Sequence, residues 1–359
     1  MSGALPPKLA RLIRSDVQGM HAYAVQPSAG LLKLDAMENP HRLSPELQRA
    51  LGERLGAVAL NRYPGERVEV LRQALTAYAQ VPAGYSLMLG NGSDELISLL
   101  AMACDVPGAT ILAPVPGFVM YAMSAQLQGL KFVGVDLTAD FQLDERAMLA
   151  AVEQHRPSIV YLAYPNNPTA NLWDDAVIER IVQAAPGLVV IDEAYQPFAS
   201  RSYADRLTRH GHVLLMRTLS KFGLAGVRIG YLIGPQALIA EVDKVRPPYN
   251  VSVLNCEAAL FALEHADVFA AQAAELRGER GRLLEQLARM PGVTTWPSDA
   301  NMVLVRVPDA ARAFQGMKAR GVLVKNVSTM HPLLANCLRL TVGTAEENGQ
   351  MLAALQASL

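Results

Sequence analysis

The segment RTLSKFGLAGVRIG (217–230) sets Lys221 just behind the hydroxyl residues Thr218 and Ser220, follows it with a glycine-rich turn, and places Arg228 ahead of Gly230. A lysine amine is either a solvated charge, as most single lysines are, or a nucleophile and proton carrier. In VVIDEAYQPF (189–198), Asp192 and Glu193 directly follow an apolar run. A carboxylate at the end of a central strand is costly unless it meets a cation; the other reading is a solvated acid that opens a loop. In LGNGSDELISLL (89–100), two glycines lead into Ser93, Asp94 and an apolar-patterned helix. The free N–H groups of such a helix start would hold a phosphate, or the stretch is a plain glycine turn with a capping side chain. The fourth stretch, YPNNPTA (164–170), is rich in turn formers, and turn chemistry alone accounts for it.

The elements that must carry these residues follow from apolar periodicity. Short β-branched runs, SIVYLAY (158–164), GLVVID (187–192) and HVLLMRT (212–218), alternate with helix-length segments such as DDAVIERIVQAA (174–185). Continuous apolar runs of that length indicate a largely parallel sheet with helices on both faces. In such sheets ligands sit beyond the carboxyl ends of the strands, which draws Asn166, Asn167, Asp192, Tyr195, Ser220 and Lys221 toward one edge. After VRPPYN (245–250) the pattern changes. A long helix is expected over about 255–289, then a strand NMVLVRV (301–307), a helix from about Ala310, and strands GVLVKNV (321–327) and CLRLTVG (337–343). This reads as an α+β unit, with Pro247–Pro248 as the hinge.

Composition narrows the function classes. The chain has 359 residues, 51% hydrophobic and 18% charged, which suits a globular protein of two domains. Lys plus Arg (32) nearly balance Asp plus Glu (33), so there is no electrostatic footprint for nucleic acid or an acidic membrane. Cys104, Cys256 and Cys337 are far apart and lack zinc-site or disulfide spacing; buried free thiols and no metal are expected. The first residues carry Lys8, Arg11 and Arg14 but no apolar core and read as a surface arm. No stretch reaches the ~18 apolar residues of a membrane span, and the cytoplasm is the expected location.

Taken together, KLDAMENP, NRYPG, GNGSDE, YPNNPT, IDEAY, TLSK with GLAGVRIG, and LRLTVG resemble, in kind and in order, the pyridoxal-phosphate enzymes of fold type I. More specifically, they resemble the histidinol-phosphate aminotransferase family, over about 23–343. The resemblance implies an α/β fold with an N-terminal arm (1–37), a large cofactor-binding domain (38–250) with a mostly parallel sheet flanked by helices, and a small C-terminal α+β domain (251–359). It implies that Lys221 bonds to the aldehyde of pyridoxal 5'-phosphate and, once displaced by the substrate amine, moves a proton between substrate carbon and cofactor. Asp192 would pair with the ring nitrogen, Asn167 and Tyr195 would hydrogen-bond the phenolic oxygen, and Phe118 would stack on the ring. The backbone amides of Ser93 and Asp94, with Thr218, Ser220 and Arg228, would cradle the phosphate. Tyr63 would reach that phosphate from the other subunit of a homodimer. Arg339 would anchor in turn the phosphate of histidinol phosphate and the carboxylates of glutamate or 2-oxoglutarate, helped by Tyr23, Lys325 and Asn39.

Four positions depart from the family pattern. Arg228 follows Lys221 by seven positions where many relatives have eight, Lys325 stands where many have arginine, Phe118 replaces a common tyrosine, and Ala170 replaces the glycine that closes the PNNPTG turn. The same cofactor residues would also serve a lyase that decarboxylates a phosphorylated amino acid such as threonine phosphate, or a broad-range or aromatic aminotransferase.

Overall fold

Apolar runs whose residues alternate between two buried faces build the central sheet. The computed structural model describes residues 6–20 and 26–359. These fall into a short unit ending at Gly30 and a larger one from Leu31 onward. In the first, two single helical turns, Pro7–Ala10 and Ser15–Gln18, are tied by the Gln18 side chain, whose Nε2 donates to the carbonyls of Ala10 and Ile13.

In the larger unit, strand β1 (Leu32–Lys33) precedes seven strands of one sheet: β2 (Tyr85–Gly90), β3 (Thr110–Val115), β4 (Lys131–Asp136), β5 (Ile159–Ala163), β6 (Leu188–Asp192), β7 (Val213–Thr218) and β8 (Gly230–Pro235). Their order is β2-β8-β7-β6-β5-β3-β4, and only β8 runs against its neighbours. Leu162, Val189, Ile191, Val213 and Leu215 face one core, whereas Tyr161, Val190, Leu214 and Met216 face the other. Both faces are covered, which is why these strands read as unbroken apolar runs. Full burial of each such side chain stabilises the fold by roughly 1.5–3 kcal/mol.

A second sheet joins β9 (Thr294–Thr295), β10 (Met302–Arg306), β12 (Lys325–Asn326) and β13 (Cys337–Thr341) in the antiparallel order β12-β13-β10-β9, while β11 (Val322–Leu323) pairs in parallel with β1. The single strand expected from GVLVKNV is therefore two, on either side of Val324 and in different sheets. The single helix expected over about 255–289 is also two, Val253–Glu264 and Ala266–Ala288. The break is local chemistry. The Nδ1 of His265 donates to the carbonyl of Phe261, 2.8 Å away, and its amide turns instead to Ala262. All three cysteines are free; Cys256 and Cys337 are buried as expected, but Cys104 is only partly so.

One buried charge pair braces the segment that leaves β6. Glu193 accepts from Arg217 Nε (2.9 Å), from the Ser202 hydroxyl (2.9 Å) and from the Tyr203 amide (2.5 Å), while its own amide donates to Met216 on β7. The acid paired with Arg217 is thus Glu193, which leaves its neighbour Asp192 to face elsewhere.

Candidate active site

The carboxyl ends of β5, β6 and β7 and the start of helix Ser93–Ala103 enclose one pocket, lined by Ser93, Asp94, Phe118, Asn167, Asp192, Tyr195, Thr218, Ser220, Lys221 and Arg228. Asp192, the last residue of β6, is 4% exposed. Its Oδ2 accepts from the Tyr121 hydroxyl at 2.6 Å and its Oδ1 from the Ala194 amide at 3.0 Å. Among the described residues no cation pairs with it. Burial pushes its carboxyl up to about 6; the two hydrogen bonds oppose that rise, and the charges of Asp94 and Glu193 add to it.

Lys221 sits in a wide turn, Ser220–Leu224, whose Gly223 has φ 137°. A Cβ there would stand 2.8 Å from the Phe269 ring and 3.1 Å from the Asn39 amide, so only glycine closes the turn. The lysine Nζ donates to the Ala36 carbonyl at 2.9 Å. Burial, then the nearby Arg339 guanidinium, lowers the Lys221 amine to about 8.

At the other end of the pocket, Gly92 (φ 83°) leads into helix Ser93–Ala103 and has no side chain to cap it. A Cβ on Gly92 would fall on the Arg228 guanidinium, and one on Gly230 would stand 2.6 Å from the Ser93 nitrogen. The two glycines thus let the helix start, β8 and Arg228 close together. Arg228, itself at φ 55°, donates to Ser220 Oγ and Asp94 Oδ2, both at 3.2 Å, and Thr218 Oγ1 accepts from the Ser220 amide at 3.1 Å. The left-handed backbone of Arg228 is a local strain of the kind that persists where surrounding structure enforces it.

Asn167 links this pocket to the smaller sheet. Its Nδ2 donates to the Tyr195 hydroxyl (3.1 Å), and its Oδ1 accepts from Arg339 Nη1 (2.7 Å). Arg339 Nη2 donates to the Asp35 carbonyl (2.7 Å). At 8% exposure Arg339 is no surface strand residue, and Lys325 is its direct partner in the β12–β13 ladder. Asn39 lies beside the Lys221 turn and not on the pocket wall; it donates to Gln272 Oε1 at 3.0 Å. Tyr63 is 75% exposed, stacked on Tyr249 with 4.3 Å between centroids, and does not line this pocket. Tyr23 lies outside the described residues. Asn166 holds the turn itself by donating to the Pro116 carbonyl and Thr169 Oγ1. Ala170, in the position where relatives carry glycine, has φ 66°.

Among the pocket's neighbours, Tyr121, Met37 and the carbonyl of Ala36 were given no role from the sequence. Tyr121 follows Phe118 by one helical turn, and that spacing was the available signal. The donor set fits pyridoxal phosphate. An uncapped helix start with an arginine suits its phosphate, a buried carboxylate lacking a protein cation suits a protonated ring nitrogen, and a lysine of lowered basicity suits its aldehyde. Because Lys221 deprotonates near pH 8, aldehyde labelling of the cofactor-free protein should rise at position 221 with a midpoint near about 8. Labelling there that instead rises near ~10.4, with ordinary lysines, contradicts the burial argument.

A profile of the class I and II aminotransferases matches residues 29–355. The histidinol-phosphate aminotransferase of Methylibium petroleiphilum is 75% identical over 358 residues, covering 99% of this chain and 96% of its own. That of Polaromonas naphthalenivorans is 73% identical over 358 residues, covering 99% and 98%. Among solved structures, histidinol-phosphate aminotransferase from Sinorhizobium meliloti in complex with pyridoxal-5'-phosphate matches with a TM-score of 0.80 at 26% identity, covering 96% of each chain. Identity of this degree over nearly the whole length, on a shared α/β architecture, means that the chain belongs to the class I and II aminotransferases and, among them, to the histidinol-phosphate aminotransferase family.

Proposed function

We propose that the chain transfers an amino group between L-histidinol phosphate and 2-oxoglutarate, giving imidazole acetol phosphate and glutamate, in histidine biosynthesis. The observation that carries this reading is the continuous hydrogen-bonded path from the Tyr195 hydroxyl through Asn167 to Arg339, with Lys325 beside it on the next strand. It supports reading Arg339 and Lys325 as a basic anion site next to the lysine and carboxylate of the cofactor pocket. Pyridoxal phosphate, bound there, supplies an aldehyde that takes the amino group and a ring that draws electrons from the substrate carbon.

The side chains divide the remaining work. Asp192 would pair with the ring nitrogen and keep it cationic, since neither partner is stable buried alone. Tyr195 and Asn167 would hold the phenolic oxygen, and Phe118 would stack on the ring. The first amides of helix Ser93–Ala103, with Thr218, Ser220 and Arg228, take the cofactor phosphate. Lys221, basic enough to accept a proton and weak enough to release it near neutral pH, carries the proton at the substrate carbon. Arg339 offers a planar fork to carboxylate or phosphate, and Lys325 adds a point charge.

Tyr63 projects from its own subunit and is assigned to a partner's phosphate in a homodimer, a reading supported by its exposure and its absence from the pocket of its own chain. Sedimentation that finds a fully active monomer removes this assignment. The substrate reading is tested by the two basic residues. A phosphate monoester carries about −1.5 to −2 charge and a carboxylate −1. Lys325→Ala should raise the KM for histidinol phosphate by roughly tenfold and that for glutamate much less, whereas Arg339→Ala impairs both, given the ~1.5–3 kcal/mol of a charged hydrogen bond. Equal losses in Lys325→Ala, or no turnover of histidinol phosphate by the unaltered chain, would favour a broad-range aminotransferase or, with carbon dioxide release from threonine phosphate, a lyase.

A further inference from the structure

We propose that Tyr121 is a positioning residue for the reaction, whose hydroxyl holds Asp192 as an anion aimed at the ring nitrogen of the bound cofactor. The inference rests on the reading that Asp192 meets that nitrogen, and adds a residue that sets how well it does so.

The geometry is specific. The Tyr121 hydroxyl lies 2.6 Å from Asp192 Oδ2, a short distance typical of a donor facing a charged acceptor. Its ring is 2% exposed and held on two sides. It stacks on Tyr161 with 4.3 Å between centroids and 6° between planes, and meets Phe118 edge to face at 5.6 Å. The Tyr121 amide also donates to the Phe118 carbonyl at 3.3 Å. One turn of chain therefore fixes the pocket aromatic and the carboxylate's donor together.

Electrostatics give the hydroxyl its purpose. Burial favours a neutral Asp192, as do the facing charges of Asp94 and Glu193, and a neutral acid cannot hold a cationic ring nitrogen. Lys221 and Arg228, in the same pocket, are engaged with the Ala36 carbonyl, Ser220 and Asp94. The Tyr195 hydroxyl points to Asn167. Apart from the Ala194 amide, the Tyr121 hydroxyl is the donor that the structure provides to this carboxylate. Burial and the adjacent carboxylate keep the phenol protonated far above neutral pH, so it stays a donor throughout the working range.

Tyr121→Phe keeps both ring contacts and removes only the hydroxyl. Two readouts separate a positioning role from simple packing: the protonation midpoint of Asp192 in the cofactor-free protein, followed by carboxyl carbon NMR, and the preference for pyridoxal phosphate over an analogue with carbon in place of the ring nitrogen. The expected result is a midpoint raised by about one pH unit and a preference reduced roughly tenfold, with analogue affinity changed less than ~2-fold. An unchanged midpoint, or equal weakening of both ligands, overturns the inference. If the unaltered protein shows no preference between the ligands, the assignment of Asp192 to the ring nitrogen fails instead, and the midpoint still decides the part played by Tyr121. Should Tyr121→Phe not fold, 3-fluorotyrosine at position 121, a more acidic donor, should lower the Asp192 midpoint; no change overturns the inference equally.

Discussion

A carboxylate buried at the end of a central strand, with no cation among the described residues to balance it, is the constraint on which the site depends. Breaking a buried ion pair commonly costs ~3–5 kcal/mol, so a fold that keeps Asp192 inside with hydrogen-bond donors but no cation beside it retains a penalty that a cationic ligand can remove. The adjacent acid shows the contrast. Glu193, on the next residue, has Arg217, Ser202 and Tyr203 around it and is complete within the protein. Alternation along the chain turns one acid to a structural clamp and the other to the pocket.

The remaining parts are arranged around that carboxylate by topology. The parallel strands β5, β6 and β7 end on the same side and bring Asn167, Asp192 and Thr218 there, while antiparallel β8 returns Gly230 to the start of helix Ser93–Ala103. The second sheet contributes from outside through Arg339, which reaches Asn167 and the Asp35 carbonyl. The pocket and the second sheet are thereby joined through one amide side chain, that of Asn167.

Much of this was legible because it lies where apolar runs stop. Asp192, Lys221, Ser93 and Arg228 each stand at a strand end or a glycine turn, where an expensive residue type signals a partner. What the chain did not disclose depends on tertiary approach. The Ala36 carbonyl meets Lys221, and Met37, at φ 52° on the pocket wall, is held from the far end of the sequence: its amide donates to Thr341 Oγ1 and its carbonyl accepts from Asn301. Tyr121 looks like any core aromatic until its hydroxyl is seen to face Asp192. At the break between the two helices the His265 ring takes the Phe261 carbonyl, a contact that no hydrophobic period reports. Asn39 matched a family motif, yet its side chain donates to Gln272 and accepts from the His41 amide.

The central claim is that Asp192 is completed by a protonated ring nitrogen. It is tested most directly by nitrogen NMR of pyridoxal phosphate labelled with ¹⁵N in the ring and bound to the protein. The account predicts a ring nitrogen that is protonated near about pH 7 in the unaltered protein and has already lost its proton there in Asp192→Ala, where a buried cation would be left without its counter-charge. A ring nitrogen that is unprotonated in the unaltered protein, or that titrates identically in both, would contradict it.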